Sequence, residues 1–303
     1  MRDFIKSILF SNIFYGICAI ALCIETSFQQ QIPILHPLFY CIIFGVTILY
    51  YTYAYINENS ELSLNANERS IWYFEKRKIF PFTQTLLFVL TLLSIGLLFQ
   101  QKIIDVGLID FKTWVLLLVF PLLALLYYGN SINGKGFYTL RKFGLLKPFF
   151  IGLVWAGTVS ITPIFFYELT HKSNYVFQPI TLFLVIKNWL YISVLCILFD
   201  FKDYATDHNL ELKTFIVQLG LRKTLFSVVF PMAIGSWSIF ISLALAKHFP
   251  PTRILFNSIP FVLLIIVSYS MQQRKSILYY LAIIDGLMLV KAVFGIISML
   301  LTK

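Results

Sequence analysis

Long runs of apolar residues alternate with short polar connections along the whole chain. A helix needs about 20 apolar residues to cross the hydrocarbon core of a bilayer, and nine runs approach or reach that length. We expect helices because a lipid-exposed backbone must satisfy its own hydrogen bonds, and the sequence lacks the alternating segments of a membrane barrel. The predicted spans are Ile8–Ile24, Pro37–Ile56, Phe82–Phe99, Phe111–Tyr128, Pro148–Tyr167, Phe177–Phe199, Thr224–Ala246, Ile254–Met271 and Ile277–Leu301.

Composition and charge support an all-α, polytopic membrane protein in which residues 1–303 form one helical-bundle domain. Hydrophobic residues make up 59% of the chain and charged residues only 13%, against about 25% charged residues in soluble domains. With the N-terminus in the cytoplasm, sixteen Lys and Arg residues fall on inner segments and six on outer ones. The positive-inside rule therefore predicts a cytoplasmic N-terminus, in a multi-pass protein of the plasma (inner) membrane.

The net charge of +10 fits this topology and the attraction of anionic lipid headgroups, so we expect the bilayer and no nucleic acid as a partner. Three inner connections, at 57–80, 129–147 and 200–223, are longer and richer in charge than the others. Such segments either connect helices and carry the topology signal, or form a site for a charged ligand.

The connection after the sixth span contains Asp200, Asp203 and Asp207. At i, i+3 and i+7 the three carboxylates share one face of a helical continuation, where they repel each other and favour a divalent cation. Mg²⁺ takes a few carboxylates together with water and phosphate oxygens. At the membrane edge, this describes a site for a magnesium-bound diphosphate whose apolar tail lies among the helices. A solvated acidic loop explains the spacing equally well.

A related cluster follows the second span, with Asn57, Glu61 and Asn65 at four-residue steps and Arg69 one turn further. Since both clusters follow an inward-running span, the layout suggests two helical ends that face one pocket. Glu61 is the one carboxylate among the first three residues, so this half binds metal weakly by itself. Helix capping and loop solvation are the alternative explanation.

At these residues the chain resembles the UbiA family of intramembrane prenyltransferases, which have nine transmembrane helices and two Asp-rich motifs on the cytoplasmic side. The second motif is similar in its Asp triplet, in the run Leu212-Lys213-Thr214 and in the helix-ending Gly220. The segment from Tyr138 to Lys142, continued by Lys147-Pro148, is similar to the basic segment of the family.

The first motif departs from the family pattern of one Asn and two Asp at four-residue steps. Asn57 is kept, but Glu61 and Asn65 replace the two aspartates. An amide oxygen can bind Mg²⁺ without neutralising its charge, so the departure affects the expected catalysis more than the expected fold.

The resemblance implies an Mg²⁺-dependent transfer of a prenyl group from a prenyl diphosphate to a lipophilic, generally aromatic acceptor. It implies catalytic and metal-binding roles for Asp200, Asp203, Asp207 and Glu61. It also implies contacts with the diphosphate for Asn57, Asn65, Arg69, Arg141, Lys147 and Lys213. An allylic cation would then form in a water-poor chamber.

Two other functions stay open at this point. A catalytically silent relative would keep the fold and bind a prenyl lipid, which the altered first motif favours. A transporter would use the charges inside the spans, where Lys187, Asp285 and Lys291 lie. Isolated charges there are costly. We expect a structural ion pair between Lys187 and Asp285, with a substrate or proton contact as the alternative.

Overall fold

The computed structural model of the protein describes residues 2–58, 68–104, 111–128, 144–171, 179–209, 211–273 and 275–302, and all regular structure in these ranges is helical. The helices are α1 (Arg2–Phe10), α2 (Ile13–Gln29), α3 (Pro37–Glu58), α4 (Glu68–Glu75), α5 (Phe80–Gln100), α6 (Phe111–Tyr128), α7 (Lys147–Ser160), α8 (Thr162–His171), α9 (Pro179–Asn209), α10 (Phe215–Leu219), α11 (Leu221–Thr224), α12 (Phe230–Ala246), α13 (Pro251–Ser270), α14 (Ile277–Tyr279) and α15 (Gly286–Leu300). Five-residue π-helical turns lie at Leu225–Val229 and Tyr280–Ile284.

Each of the nine predicted apolar runs coincides with helical structure. Six helical segments in the described ranges are long and apolar enough to cross a membrane: Phe80–Gln100, Lys147–His171, Pro179–Ala205, Leu221–Ala246, Pro251–Ser270 and Ile277–Leu300. The count rises to seven if the bent pair of Asp3–Phe10 and Ile13–Gln29 is taken as one span. Pro37–Tyr53 is also apolar but is shorter. The all-α, polytopic fold is therefore confirmed, while the count of nine crossings stays a prediction.

The first apolar run is bent, so the predicted span Ile8–Ile24 is divided between α1 and α2. Its two helices meet at an angle of 67°. Asn12 lies at the bend with a φ of 65°, a backbone conformation that Asn adopts more readily than most residues. Its side-chain amide donates to Thr52 and Tyr73, at 3.0 Å in each case. The second helix consequently extends further along the chain than predicted, as far as Gln29.

The core of the bundle is built around α9. This helix packs against α7 and α12, while α15 packs against α2 and α13. The indole of Trp189 on α9 donates to the carbonyl of Phe149 on α7 at 2.8 Å. The hydroxyl of Tyr191 donates to the carbonyl of Leu287 on α15 at 3.2 Å. These bonds connect α9 to two neighbouring helices.

α5 lies at the edge of the bundle. Its apolar side chains, such as Phe82 and Leu93, are largely exposed, while Thr91 and Ser94 are buried. A continuous exposed apolar surface of this kind is typical of contact with lipid.

Candidate functional site

The Asp triplet lies on the last turns of α9, as its spacing predicts. The helix continues through Asn209, so the first part of the predicted loop 200–223 is helical. Asp200 and Asp207 are buried, whereas the Asp203 side chain is 35% exposed. Two carboxylates of the triplet are thus buried in the protein, and the third is partly exposed to water.

Asp200 is paired with Lys147, the first residue of α7. The Lys147 Nζ atom lies 2.7 Å from Asp200 Oδ1. A buried carboxylate is expensive unless a cation compensates it, so this pair holds the ends of α7 and α9 together. One residue expected to bind metal and one expected to bind the diphosphate therefore contact each other. We call the end of the bundle that carries this pair the motif end.

Asp203 has a different cation beside it. The Lys202 Nζ atom lies 2.9 Å from Asp203 Oδ1, and both side chains are partly exposed. An exposed pair of this type contributes little to stability. The Asp203 carboxylate can therefore exchange its partner for a metal or a diphosphate-bound cation at small cost.

Lys213 approaches the segment that precedes α7. A Cβ atom placed on Gly144 would lie 2.6 Å from the carbonyl carbon of Lys213 and 2.8 Å from the nitrogen of Thr214. Only glycine allows this approach. Lys213 is exposed and Thr214 is buried, so the lysine side chain faces away from the core. Gly220 ends α10, as the resemblance predicts.

The remaining predicted ligands are described only in part. Asn57 lies near the end of α3, but its side chain is outside the described residues, as are Glu61, Asn65 and Arg141. Arg69 on α4 is buried and donates to the carbonyl of Phe10 at 3.1 Å. It also donates to the side chain of Asn12, so these contacts tie α4 to the bend between α1 and α2. Its role towards a diphosphate stays a prediction.

Metal binding by the described residues would rest on α9. In the ranges that the structure describes, no three His, Cys, Asp or Glu side chains lie close enough together to form a protein-only metal site. Mg²⁺ does not require one, because it keeps water and phosphate oxygens among its ligands. The carboxylates of Asp200, Asp203 and Asp207 are suitable oxygen donors, and the predicted partner Glu61 lies outside the described residues.

An apolar cavity of about 400 Å³ lies beside α7. Its described lining comes from α2, α3, α6, α7 and the start of α8, and none of these residues is charged. α7 contributes Phe150, Ile151, Val154, Trp155 and Thr158 to the lining. Val46 and Leu125 line the cavity and are also 49% and 66% exposed, so the cavity is next to the outer, lipid-facing surface. This volume is within the usual range for a small-molecule site.

Two aromatic residues of the cavity wall are joined to each other. The Trp155 indole donates to the Tyr51 hydroxyl at 2.7 Å. Tyr15 lies behind this wall, and its ring is stacked on that of Tyr51, with centroids 4.6 Å apart and an angle of 11° between the planes. The Tyr15 hydroxyl in turn donates to Asp285 Oδ2 at 2.6 Å.

The predicted ion pair between Lys187 and Asp285 is wrong. Lys187 Nζ lies 3.5 Å from Glu25 Oε1, and Lys291 Nζ lies 2.6 Å from Glu25 Oε2. Gln29 donates to the same carboxylate at 2.6 Å. The prediction missed Glu25 because it ended the first span at Ile24, whereas the bend at Asn12 moves the helix along the chain and places Glu25 inside the bundle.

These features define a helical membrane bundle with charged residues at one end and an apolar cavity beside the same helices. Two solved structures share this fold. The apo structure of a UbiA homolog from Aeropyrum pernix K1 has a TM-score of 0.64 and 14% identity, over 95% of this chain and 98% of the other. A structure of digeranylgeranylglyceryl phosphate synthase has a TM-score of 0.57 and 14% identity, over 100% and 99%. The chain therefore has a UbiA-like fold.

The likeness is one of structure. No protein-family model matches the sequence, and no curated protein sequence matches it.

Proposed function

We propose that this protein is an intramembrane prenyltransferase that moves a prenyl group from a prenyl diphosphate to a lipophilic, aromatic acceptor. The observation that carries the proposal is the arrangement along α7. Lys147 begins the helix in a pair with Asp200, and from the next turn onwards the same helix lines an apolar cavity. A ligand with an anionic head and a long apolar tail matches both parts at once.

The head of the donor would lie at the motif end. Lys147, the exposed Lys213, Arg69 and Arg141 would neutralise charge on the phosphate oxygens, and the side-chain amides of Asn57 and Asn65 would donate hydrogen bonds to them. Asp200, Asp203 and Asp207, with Glu61, would hold Mg²⁺, which neutralises charge on the departing pyrophosphate.

The tail of the donor would occupy the cavity. When the bond between the first prenyl carbon and oxygen breaks, pyrophosphate leaves and an allylic cation remains. The uncharged lining excludes water that would otherwise capture this cation. The acceptor donates an electron pair to form the new bond and then releases a proton. The side chains of the cavity thus control which nucleophile reaches the cation.

The structural likeness supports this function. One of the similar structures is that of a digeranylgeranylglyceryl phosphate synthase. The name of this enzyme refers to geranylgeranyl groups, which are prenyl chains, and to a phosphate. The proposal also keeps the orientation predicted from the Lys and Arg distribution, in which the N-terminus and the motif end face the cytoplasm. The membrane in this proposal is the plasma (inner) membrane.

Release of pyrophosphate tests the proposal. The purified protein in nanodiscs is incubated with farnesyl diphosphate, a lipid extract as the source of acceptor, and Mg²⁺ or EDTA. We expect release with Mg²⁺ only, and its loss in Asp203→Ala. Lipid mass spectrometry of cells with and without the protein would identify the prenylated product and therefore the acceptor. No release from any prenyl diphosphate would contradict the enzymatic function.

A catalytically silent, prenyl-lipid-binding protein is the second candidate, because Glu61 and Asn65 replace the two aspartates of the first motif. This candidate predicts Mg²⁺-dependent binding of farnesyl diphosphate without release of pyrophosphate. Restoring the family pattern with Glu61→Asp and Asn65→Asp would then produce turnover. If the unmodified protein is already an active enzyme, the same double variant instead changes the rate at which it releases pyrophosphate.

A further inference from the structure

A continuous set of contacts leads from Asp285 to the wall of the apolar cavity. Asp285 accepts the hydroxyl of Tyr15, the ring of Tyr15 stacks on Tyr51, and Tyr51 accepts the indole N–H of Trp155. The last two residues line the cavity, whereas the first two lie behind them and are buried. The contacts involve four separate helical segments.

The backbone at Asp285 is unusual. A π-helical turn covers Tyr280–Ile284, and the amide of Asp285 donates to the carbonyl of Tyr280, five residues earlier, at 3.1 Å. The extra residue in this turn rotates the following side chains relative to a regular α-helix. Such turns occur often at functional positions, and here the turn precedes a carboxyl group that is buried in the bundle.

A carboxyl group inside a membrane bundle is costly and needs a compensating contact. The Tyr15 hydroxyl lies 2.6 Å from Asp285 Oδ2, within the range of a well-formed O–H···O hydrogen bond, and this bond supplies such a contact. It restrains the ring of Tyr15, and the nearly parallel stack transmits this restraint to Tyr51.

We propose that Asp285 is a positioning residue for the prenyl tail. Through Tyr15 it holds Tyr51 and Trp155 as one rigid aromatic wall of the cavity. The inference rests on the proposed function, because it assigns a role towards the tail of the prenyl diphosphate.

The depth of the wall indicates which part of the tail it contacts. Trp155 follows Lys147 by eight residues on α7, which places it about 12 Å further along the helix. Four chain bonds of about 1.5 Å at tetrahedral angles advance a prenyl chain by about 5 Å per isoprene unit. With the diphosphate at Lys147, the wall therefore lies beside the second and third units, beyond the reach of a single unit.

Two probes separate the tail from the head. Dimethylallyl thiolodiphosphate has one isoprene unit and farnesyl thiolodiphosphate has three, and neither is cleaved readily. Their dissociation constants with Mg²⁺ are measured by calorimetry on the full-length protein in nanodiscs. The variants are Tyr15→Phe, which removes the hydroxyl, Asp285→Leu, which removes the acceptor, and Asp285→Asn, which keeps an acceptor oxygen. Tyr191→Phe is the matched control, since it removes a buried hydroxyl from a residue outside the cavity lining.

We expect Tyr15→Phe and Asp285→Leu to weaken farnesyl thiolodiphosphate binding about tenfold and to leave the dimethylallyl probe within about twofold of the wild type. Asp285→Asn should recover most of the lost affinity, and the control should bind both probes normally. If Asp285→Leu does not fold, Tyr15→Phe and Asp285→Asn still decide the question.

Three outcomes would overturn the positioning role. These are wild-type affinity of Tyr15→Phe for the longer probe, equal weakening of both probes, or an Asp285→Asn variant that binds no better than one lacking the acceptor. A wild-type protein that binds neither probe would instead contradict the proposed function itself, so the two failures are distinguishable.

Discussion

Lys291 Nζ lies 2.6 Å from Glu25 Oε2 and connects α15 to α2 inside the bundle. Lys187 on α9 approaches the other oxygen of the same carboxylate. A Cβ atom on Gly295 would lie 2.5 Å from Glu25 Cγ, so the helices are in close contact at this point. Three central helices are thus held by one buried cluster of charges, with little room for a ligand.

Removing the carboxylate of this cluster should destabilise the bundle. Glu25→Gln keeps the shape of the side chain but leaves two buried lysines without a carboxylate, which we expect to cost about 3–5 kcal/mol. The measurement is thermal unfolding in detergent. Glu68→Gln is the control, because its partner Lys6 lies 2.9 Å away in an exposed pair that contributes at most about 1 kcal/mol.

Equal stability of the two variants would contradict a structural role for the cluster. The exchange Glu25→Lys with Lys291→Glu, which keeps the number of charges, should recover part of the stability that Glu25→Lys alone loses.

Lys147 should be required for turnover as well as for packing. Lys147→Ala leaves Asp200 buried without this cation and removes a positive charge from the diphosphate site, so we expect pyrophosphate release to fall about 100-fold. The double variant Lys147→Ala/Asp200→Ala should fold better than the single variant, because no charge is left buried, and should stay inactive. Lys247→Ala, at an exposed position after α12, serves as the control and should keep full activity. An active double variant would exclude the pair from the site.

A bulky side chain in the cavity should block the tail. Val154→Trp fills space in the lining of α7, so binding of farnesyl thiolodiphosphate should weaken by at least about tenfold, as expected for overpacking of a filled cavity. Leu153→Trp, at the neighbouring half-buried position outside the cavity lining, is the matched control. If both variants bind the probe like the wild type, the tail lies elsewhere.

The close contact between Gly144 and the backbone of Lys213 should matter for activity. In Gly144→Ala the new methyl group would lie 2.6 Å from a backbone carbon, so the segment before α7 must shift away from Lys213. We expect pyrophosphate release to fall about tenfold with little change in unfolding temperature, because the contact lies at the end of the bundle. Gly96→Ala has open space around the new methyl group and should leave both quantities unchanged. Normal release by Gly144→Ala would show that this approach is unimportant.

The helical architecture could be predicted from the sequence because membrane spans depend on local composition. The apolar runs coincide with helices, and the run Phe111–Tyr128 has the same bounds as α6. The bend at Asn12 could not be predicted in this way. It depends on hydrogen bonds to Thr52 and Tyr73, which are distant in sequence.

The pairing of buried charges depends on relative depth, which is where the prediction failed. At 1.5 Å per residue, Glu25 lies about 18 Å from the start of α2, and Lys291 lies about 21 Å from Ile277. Lys187 lies about 20 Å before Asp200 on α9, at a similar depth, whereas Asp285 is only about 12 Å from Ile277. Once the bend moves Glu25 into the bundle, depth alone favours the observed partners.

The helical placement of the Asp triplet could be predicted from the sequence, but the contacts of the candidate site could not. The spacing of the Asp triplet predicts a shared helical face, and α9 has one. The pairing of Lys147 with Asp200 joins residues more than 50 positions apart. The aromatic residues that line the cavity come from different helices. Neither arrangement has a local sequence signal.

Calorimetric titration of the purified protein with farnesyl thiolodiphosphate tests the central claim most directly. That claim is that the motif end binds a metal-bound diphosphate while the tail enters the cavity beside α7. We predict saturable binding at millimolar Mg²⁺, lost with EDTA and strongly weakened in Asp203→Ala. Binding that is absent at millimolar Mg²⁺, or equally strong with EDTA and in Asp203→Ala, would contradict it.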